Sequence, residues 1–181
     1  VTFTRDGKLV FVTSEATNTV FVIDPWSGEI LDEILVGNRP RRGFVTPDNK
    51  EYWVTNELGG SISIIDVAEH TVIDEIFFER RGMRREDITP VAFAMTRDGN
   101  TASIPLGRAA HVAVVDVPSR EVTDYILAGS RVWGAALNAD ESLLVVTNGQ
   151  SDDISIIDTD KKIAVNSVAV GRTPHTVRID A

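Results

Sequence analysis

Residues 52–66 read YWVTNELGGSISIID, and the pattern of this stretch occurs four times along the chain. The other copies are residues 10–24 (VFVTSEATNTVFVID), residues 102–116 (ASIPLGRAAHVAVVD) and residues 144–158 (LVVTNGQSDDISIID). Their closing aspartates are 42, 50 and 42 residues apart. A period of about 40 residues built from short strands and turns is typical of β-propeller blades. The sequence therefore predicts an all-β fold, a β-propeller with four blades present.

Each repeat divides into four short strands, which we call a to d. The c strands, such as Val20–Ile23, are apolar at consecutive positions, which favours burial on both faces between stacked blades. The d strands are polar and are expected at the outer edge. The a strands carry small residues, such as Ala92 and Ala94, that suit a crowded place near the propeller axis. The aspartate that ends each c strand is expected to cap its turn, so we assign it to the fold and not to chemistry.

The repeats are predicted at about residues 1–43, 44–91, 92–134 and 135–176, with residues 177–181 as the first strand of a further blade. Two arrangements remain open: a part of a larger ring, or a closed four-bladed ring in which Thr176–Asp180 completes the first blade. An open array would leave apolar blade faces uncovered, and such faces promote self-association.

Composition excludes several classes of protein. The formal net charge of −9 argues against a nucleic-acid binder or a protein held on an anionic membrane. The sequence contains no run of about 18 apolar residues, so no transmembrane helix is predicted. The chain has no cysteine, which excludes disulfides, thiolate catalysis and cysteine-based metal sites. It starts at Val1 without a methionine, which we interpret as a mature or truncated chain.

Charge is unequally divided between the two faces of the predicted propeller. The a–b and c–d turns form one face, which is rich in aspartate and glutamate. The b–c and d–a loops form the other face, which is rich in arginine. Arginine favours planar, bidentate recognition of carboxylate or phosphate. The alternative is surface ion pairing among the same loops.

The repeats differ most on this arginine-rich face. The second repeat has eight extra residues, Arg80-Arg81-Gly82-Met83-Arg84-Arg85-Glu86-Asp87. Equivalent positions at the start of strand a hold Arg41, Val91, Trp133 and His175, which we expect around the mouth of the central channel. No metal site and no catalytic residue is predicted. The candidate residues for a ligand or partner are Arg41, Arg42, Arg80, Arg81, Arg84, Arg85, Arg131, Trp133, Arg172 and His175.

The frames VTNELGGSISIID and VTNGQSDDISIID resemble the YVTN β-propeller repeat. Residues 80–160 resemble more narrowly the PQQ-dependent catabolism-associated β-propeller group. That resemblance implies a ring of about seven blades and an exported, periplasmic protein. It also implies an association with quinoprotein alcohol oxidation, with a quinoprotein dehydrogenase or another acidic protein as partner. PQQ enters as a cofactor through this resemblance alone.

The sequence lacks the short motifs of common enzymes, such as Gly-x-Ser-x-Gly, a Walker loop or His-Glu-x-x-His. We therefore favour a non-enzymatic binding or scaffold propeller. Two alternatives are a lactonase-like hydrolase, with His175 or Glu57 as first suspects, and a surface-layer or adhesion module.

Overall fold

The computed structural model describes residues 1–179, which form four antiparallel sheets of four strands each. The first blade contains β1 (Thr2–Phe3), β2 (Val10–Ser14), β3 (Thr19–Ile23) and β4 (Ile30–Leu35). The second contains β5 (Pro40–Val45), β6 (Glu51–Asn56), β7 (Ser61–Asp66) and β8 (Thr71–Phe77). The third contains β9 (Ala94–Met95), β10 (Thr101–Pro105), β11 (His111–Asp116) and β12 (Glu121–Leu127). The fourth contains β13 (Val132–Leu137), β14 (Leu143–Asn148), β15 (Asp153–Asp158) and β16 (Ile163–Ala169).

The prediction of four propeller blades with strand order a–b–c–d is confirmed. Blades begin at Pro40, Ala94 and Val132, a few residues from the repeat boundaries taken from the sequence. Residues 174–179 form no strand, and residues 180 and 181, which end the predicted further strand 177–181, lie outside the described residues. The described residues contain no helix that is long and apolar enough to cross a membrane.

Apolar seams between consecutive blades form the core. The first seam joins Phe11 and Val22 of the first blade to Tyr52 and Val54 of the second. The second seam packs Trp53, Ile62 and Ile64 of the second blade against residues of the third blade such as Ile104 and Leu106, all fully buried. The third seam joins Val112 and Val114 to Leu144 and Ile157 of the fourth blade. Burial on both faces explains why the c strands are apolar at consecutive positions.

The far face of the fourth blade has no such cover within the described residues. Ile34, Ile76 and Ile126 hold equivalent places on the d strands of the first three blades and are 7%, 6% and 4% exposed. Their counterpart in the fourth blade, Val168, is 40% exposed. The described part of the chain is therefore an open row of blades.

The aspartates that end the c strands cap their turns, as predicted. Asp24 accepts hydrogen bonds from the backbone N–H groups of Trp26 and Ser27 at 2.7 and 3.2 Å, and Asp66 bonds the next turn in the same way. These bonds lower the pKa of Asp24. Such carboxylates maintain turn geometry, and their presence needs no catalytic explanation.

A polar clasp also joins the second, third and fourth blades each to the blade before it. Its basic residue stands at the end of the c–d turn in the left-handed region, with φ of 53° at His70, 61° at Arg120 and 55° at Lys162. Each side chain reaches back to an aspartate on the preceding d strand, as listed here: His70 to Asp32 at 3.6 Å, Arg120 to Asp74 at 2.7 Å and Lys162 to Asp124 at 3.0 Å. Arg120 is the most strongly held because it also donates to Glu51 at 2.7 Å.

We predict that Asp74→Asn lowers the free energy of unfolding by about 1 kcal/mol at neutral pH, because it removes a charge-assisted hydrogen bond to Arg120. The hydrogen bond from Arg120 lowers the pKa of Asp74. Its stabilisation is therefore complete above the unfolded value near 3.8 and is lost as the pH falls through the lower folded value. Urea unfolding across this range measures the effect.

Asp32→Asn is the matched control, since its partner His70 lies 3.6 Å away. It should cost less than about 0.5 kcal/mol, because a contact of this length to a half-exposed carboxylate contributes little. If the two variants lost the same free energy of unfolding, the hydrogen bond between Arg120 and Asp74 would contribute no extra stability.

Candidate anion-binding site

Two groups of candidate residues lie on the arginine-rich face, and we name them separately. The mouth group consists of Arg41, Arg42, Arg131, Trp133 and His175. The loop group consists of Arg80, Arg81, Arg84 and Arg85. No hydrogen bond, ion pair or ring contact among residues 1–177 joins the two groups directly. The structure therefore brings the predicted site residues together as two clusters, with Arg172 exposed and outside both.

Residues 174–179 bring His175 to the mouth. The Thr147 hydroxyl donates to the carbonyl oxygen of His175 at 3.3 Å, as Thr13 donates to the carbonyl oxygen of Arg41 at 2.9 Å. A Cβ at Gly134 would lie 3.0 Å from the same His175 oxygen, so glycine permits this close approach. His175 thus takes the place beside β13 that the sequence alignment of repeats predicted.

The aromatic rings of the mouth group are in contact. The Trp133 and His175 ring centroids are 4.1 Å apart with an interplanar angle of 78°. The Arg131 guanidinium lies 5.1 Å from the centre of the Trp133 ring, a cation–π distance. Arg42 approaches the same segment, with Nη2 3.5 Å from the hydroxyl of Thr176. The result is an aromatic pair with Arg131 over the Trp133 ring and Arg42 close to the residue after His175.

The arginines of the mouth group differ in whether they are already neutralised. Arg41 belongs to an ion-pair network: its Nη1 lies 2.5 Å from Glu15, and its Nε lies 3.4 Å from Glu57. Arg39 contacts the same two glutamates. Arg42 and Arg131, in contrast, form no ion pair with any carboxylate of the described residues. The excess positive charge therefore rests on Arg42 and Arg131.

The ion-pair network also removes Glu57 as a free base. Its Oε2 lies 3.4 Å from Nε of both Arg39 and Arg41, within ion-pair distance although neither contact has hydrogen-bond geometry. Glu15 is held the same way: partial burial acts to raise its pKa, but hydrogen bonds from Arg39 and Arg41 and the charge of Arg41 lower it overall. Both acids thus neutralise arginines. For Arg41, the structure favours surface ion pairing over a role in anion recognition.

His175 is held in its neutral form at neutral pH. Burial is the main cause that lowers its pKa from 6.5, and the charges of Arg42 and Arg41 lower it further. A neutral imidazole beside two guanidinium groups can gain a proton once an anion reduces the local positive potential.

The loop group is anchored on the third blade. Arg80 Nη2 lies 2.9 Å from His111 Nε2, and its guanidinium lies 5.1 Å from the centre of the Tyr125 ring. The Nδ1 atom of His111 lies 2.6 Å from the carbonyl oxygen of Ala109, which makes Nδ1 the protonated atom and Nε2 the acceptor for Arg80. Arg85 lies 4.4 Å above the ring of Phe77.

The remaining arginines of the loop differ. Arg84 pairs with Glu86 at 3.2 Å and Asp87 at 3.0 Å, inside the loop itself. Arg81 is exposed and forms no ion pair within residues 1–179. A depression of about 520 Å³ is lined by Phe78, Glu79, Arg80, Arg81, Met83, Arg85 and Ile88. The aromatic supports Phe77 and Tyr125 were not predicted, because they come from d strands that look like ordinary outer strands in sequence.

No metal centre is formed by the described residues, since no three His, Asp or Glu side chains lie close enough to hold an ion. His111 contacts Arg80, and the ring of His175 contacts that of Trp133.

Comparison with known proteins supports the fold. No protein-family model matches the chain, and no curated protein matches it. Among solved structures, hydrazine synthase of Kuenenia stuttgartiensis is similar with a TM-score of 0.82 and 20% identity over 93% of this chain. Virginiamycin B lyase from Staphylococcus aureus has a TM-score of 0.81 and 18% identity over 99% of this chain. A functionally unknown protein from Desulfotomaculum acetoxidans DSM 771 gives the same TM-score, identity and coverage of this chain.

These likenesses define the class: the chain has a β-propeller fold. It spans 48% of the hydrazine synthase chain, 58% of the Desulfotomaculum protein and 59% of the lyase. At 20% identity or less, the likeness extends to the fold alone.

We predict that a bound anion raises the pKa of His175, because it offsets the charges of Arg42 and Arg41. The pKa of the free protein should lie below 6.5, and the shift should be upward on adding citrate. By linkage, citrate should bind more tightly as the pH falls through this range. NMR titration of the His175 ring protons measures both effects. His175→Asn should abolish that pH dependence, and an unchanged titration curve in citrate would contradict the prediction.

Proposed function

We propose that this chain is a binding module of a β-propeller protein and that its mouth group recognises an anionic ligand or an acidic partner. The observation that carries the proposal is the pair Arg42 and Arg131, two guanidinium groups without a carboxylate partner among the described residues, beside the aromatic surface of Trp133. Guanidinium groups bind carboxylates in a bidentate way, and an indole face stacks on a planar ring. The chemistry fits a planar molecule with several carboxylates.

The resemblance to the PQQ-associated group gives this chemistry a candidate ligand. PQQ is a planar tricarboxylate, and a quinoprotein dehydrogenase or another acidic protein would present carboxylates to the same surface. We propose a non-catalytic scaffold role in an exported, periplasmic system of alcohol oxidation. The support for this system is the resemblance of residues 80–160, and the support for the ligand class is the charge of the mouth.

We predict that PQQ binds at the mouth and that Arg42→Ala and Arg131→Ala each weaken binding about tenfold, because each removes one charge-assisted contact. Isothermal titration calorimetry measures the affinity. Citrate, which has three carboxylates and no planar ring, should bind more weakly than PQQ, and Trp133→Ala should reduce this difference.

Lys50→Ala is the charge-matched control, since this lysine is 78% exposed on the opposite face. It should leave the affinity for PQQ unchanged. If the Arg42→Ala/Arg131→Ala double variant binds PQQ and citrate as the original chain does, the mouth is only a solvated surface.

An enzymatic role has one observation in its favour, since virginiamycin B lyase, by its name an enzyme, has a similar fold. Glu57 is engaged by Arg39 and Arg41, which leaves His175 as the first candidate base. A hydrolase would lose its activity in His175→Asn, whereas the binding role requires only the arginines and Trp133.

We also propose that the four blades belong to a larger ring, of about seven blades as the resemblance implies. The exposed Val168 supports this, because its three counterparts are covered by a following blade. Gly171 supports it as well. Its counterparts Gly37 and Gly129 pack against Asn56 and Asn148 of the next blade, whereas nothing lies within 4 Å of a Cβ at Gly171. The likeness to proteins of which this chain covers about half is consistent with further blades.

We predict that the isolated 181-residue chain self-associates with rising concentration, because its uncovered blade faces are apolar. Sedimentation velocity measures this. Val168→Glu should reduce the association, while Val72→Glu, at a residue of similar exposure (42%) on β8, should not. A monomer at all concentrations would contradict the open row of blades.

A further inference from the structure

A second site emerges between the third and fourth blades, on the face opposite the mouth. Equivalent positions in the b strands hold Phe11, Trp53, Ser103 and Val145. Phe11 and Trp53 are fully buried and fill the first two seams. Serine at the third position leaves that seam without a large side chain.

The neighbouring a strand, β9, also carries a small residue at this level. Trp53 pairs with Phe44 on the neighbouring a strand, whereas Ser103 pairs with Ala94. A cavity of about 540 Å³ follows, a size typical of small-molecule sites. The residues that line it include Ser103, Val114, Asp116, Asp140, Leu144 and Ile157.

This cavity reaches the interior of the blades. Val114 and Leu144, which line it, are 8% and 1% exposed. A depression of about 560 Å³ between the first and second blades is different, because turn residues such as Asp6, Lys50 and Ala68 line it and Phe11 does not. The cavity in the third seam therefore extends to buried core residues, whereas the depression at the first seam is confined to surface turns.

Ser103 is the observation that points to a ligand. It is 7% exposed, lines the cavity, and its hydroxyl forms no hydrogen bond with any residue of 1–179. A hydroxyl that lines a cavity without a protein partner is free to donate or accept a hydrogen bond. A polar group of a ligand that enters the cavity can therefore bond Ser103.

The charge around the cavity is negative. Asp116 and Asp140 each use Oδ1 for their own turns, bonding Ser119 and Ser142, and the Oδ2 atom of Asp116 has no hydrogen-bond partner in the described residues. These serine bonds lower the pKa of both aspartates, so both are ionised at neutral pH. The cation at the rim, Lys162, is taken by Asp124 at 3.0 Å.

We propose that this interblade cavity binds a small organic cation, with an ammonium group at Asp116 and Asp140 and a short apolar chain against Val114, Leu144 and Ile157. The hydroxyl of Ser103 lines the same cavity and can bond a polar group carried further along that chain. The site is independent of the anion-binding mouth, since it lies on the other face and shares no residue with it.

Three isosteric probes test the proposal on the intact chain: n-butylammonium, n-butanol and butyrate. We expect n-butylammonium to bind about tenfold more tightly than n-butanol, because the carboxylates attract its charge, and butyrate to bind least. Affinities come from NMR titrations, in which the amide signals of Thr101 and Thr123 should shift.

Two variants separate the contributions. Ser103→Trp, which introduces the residue type of Trp53, should occupy the inner part of the cavity and abolish binding of all three probes. Asp116→Asn keeps the turn acceptor and should lower the affinity for n-butylammonium about fivefold to tenfold while leaving n-butanol unchanged. Ser130→Val, at an exposed serine on the opposite face, is the control and should change nothing.

Three results would overturn the proposal. One is an absence of n-butylammonium binding at millimolar concentration to the folded chain. Another is equal affinity for n-butanol and n-butylammonium, which would exclude a role for the carboxylates. The third is unchanged binding in a folded Ser103→Trp, which would place the site elsewhere.

Discussion

The structure depends on the burial of apolar strand faces between neighbouring blades. A blade alone exposes apolar side chains on both faces, so it is stable only when neighbours cover them. Where a neighbour is present, Ile34, Ile76 and Ile126 are buried, and where none is described, Val168 is exposed. The seams therefore stabilise the row of blades, and the lack of a further seam leaves an apolar face exposed on the fourth blade.

The seams are specific because the partners on the two sides match. Gly37 and Gly129 each make room for an asparagine of the next blade, Asn56 and Asn148. In the second seam the glycine position holds Glu79 and the asparagine position holds Leu106, which is fully buried in the same cluster as Phe78. The clasps follow the same logic, with histidine, arginine or lysine each meeting an aspartate on the d strand before it. Each seam thus has its own complementary set, which favours one order of blades.

Chemistry is available where the repeats stop matching. On one face, Arg42 and Arg131 have no acidic counterpart among the described residues, while Arg39 and Arg41 are neutralised by Glu15 and Glu57. On the other face, Ser103 replaces a large aromatic residue and opens a cavity with ionised carboxylates at its rim. A chain of net charge −9 therefore presents opposite electrostatic surfaces at the two ends of the same blades.

The sequence by itself determined the four blades, the strand order and the role of the turn aspartates. These follow from local periodicity and turn chemistry, which neighbouring residues carry. It also predicted that Trp133 and His175 hold equivalent positions. The tertiary structure decided which arginines are free, because pairing depends on distances between side chains of different loops. Only the structure separated Arg84 and Arg41, which meet carboxylates, from Arg42 and Arg131. The same holds for the cavity at Ser103. A serine in a b strand is common in sequence, and it leaves a cavity only if side chains of the fourth blade do not occupy the space beside it.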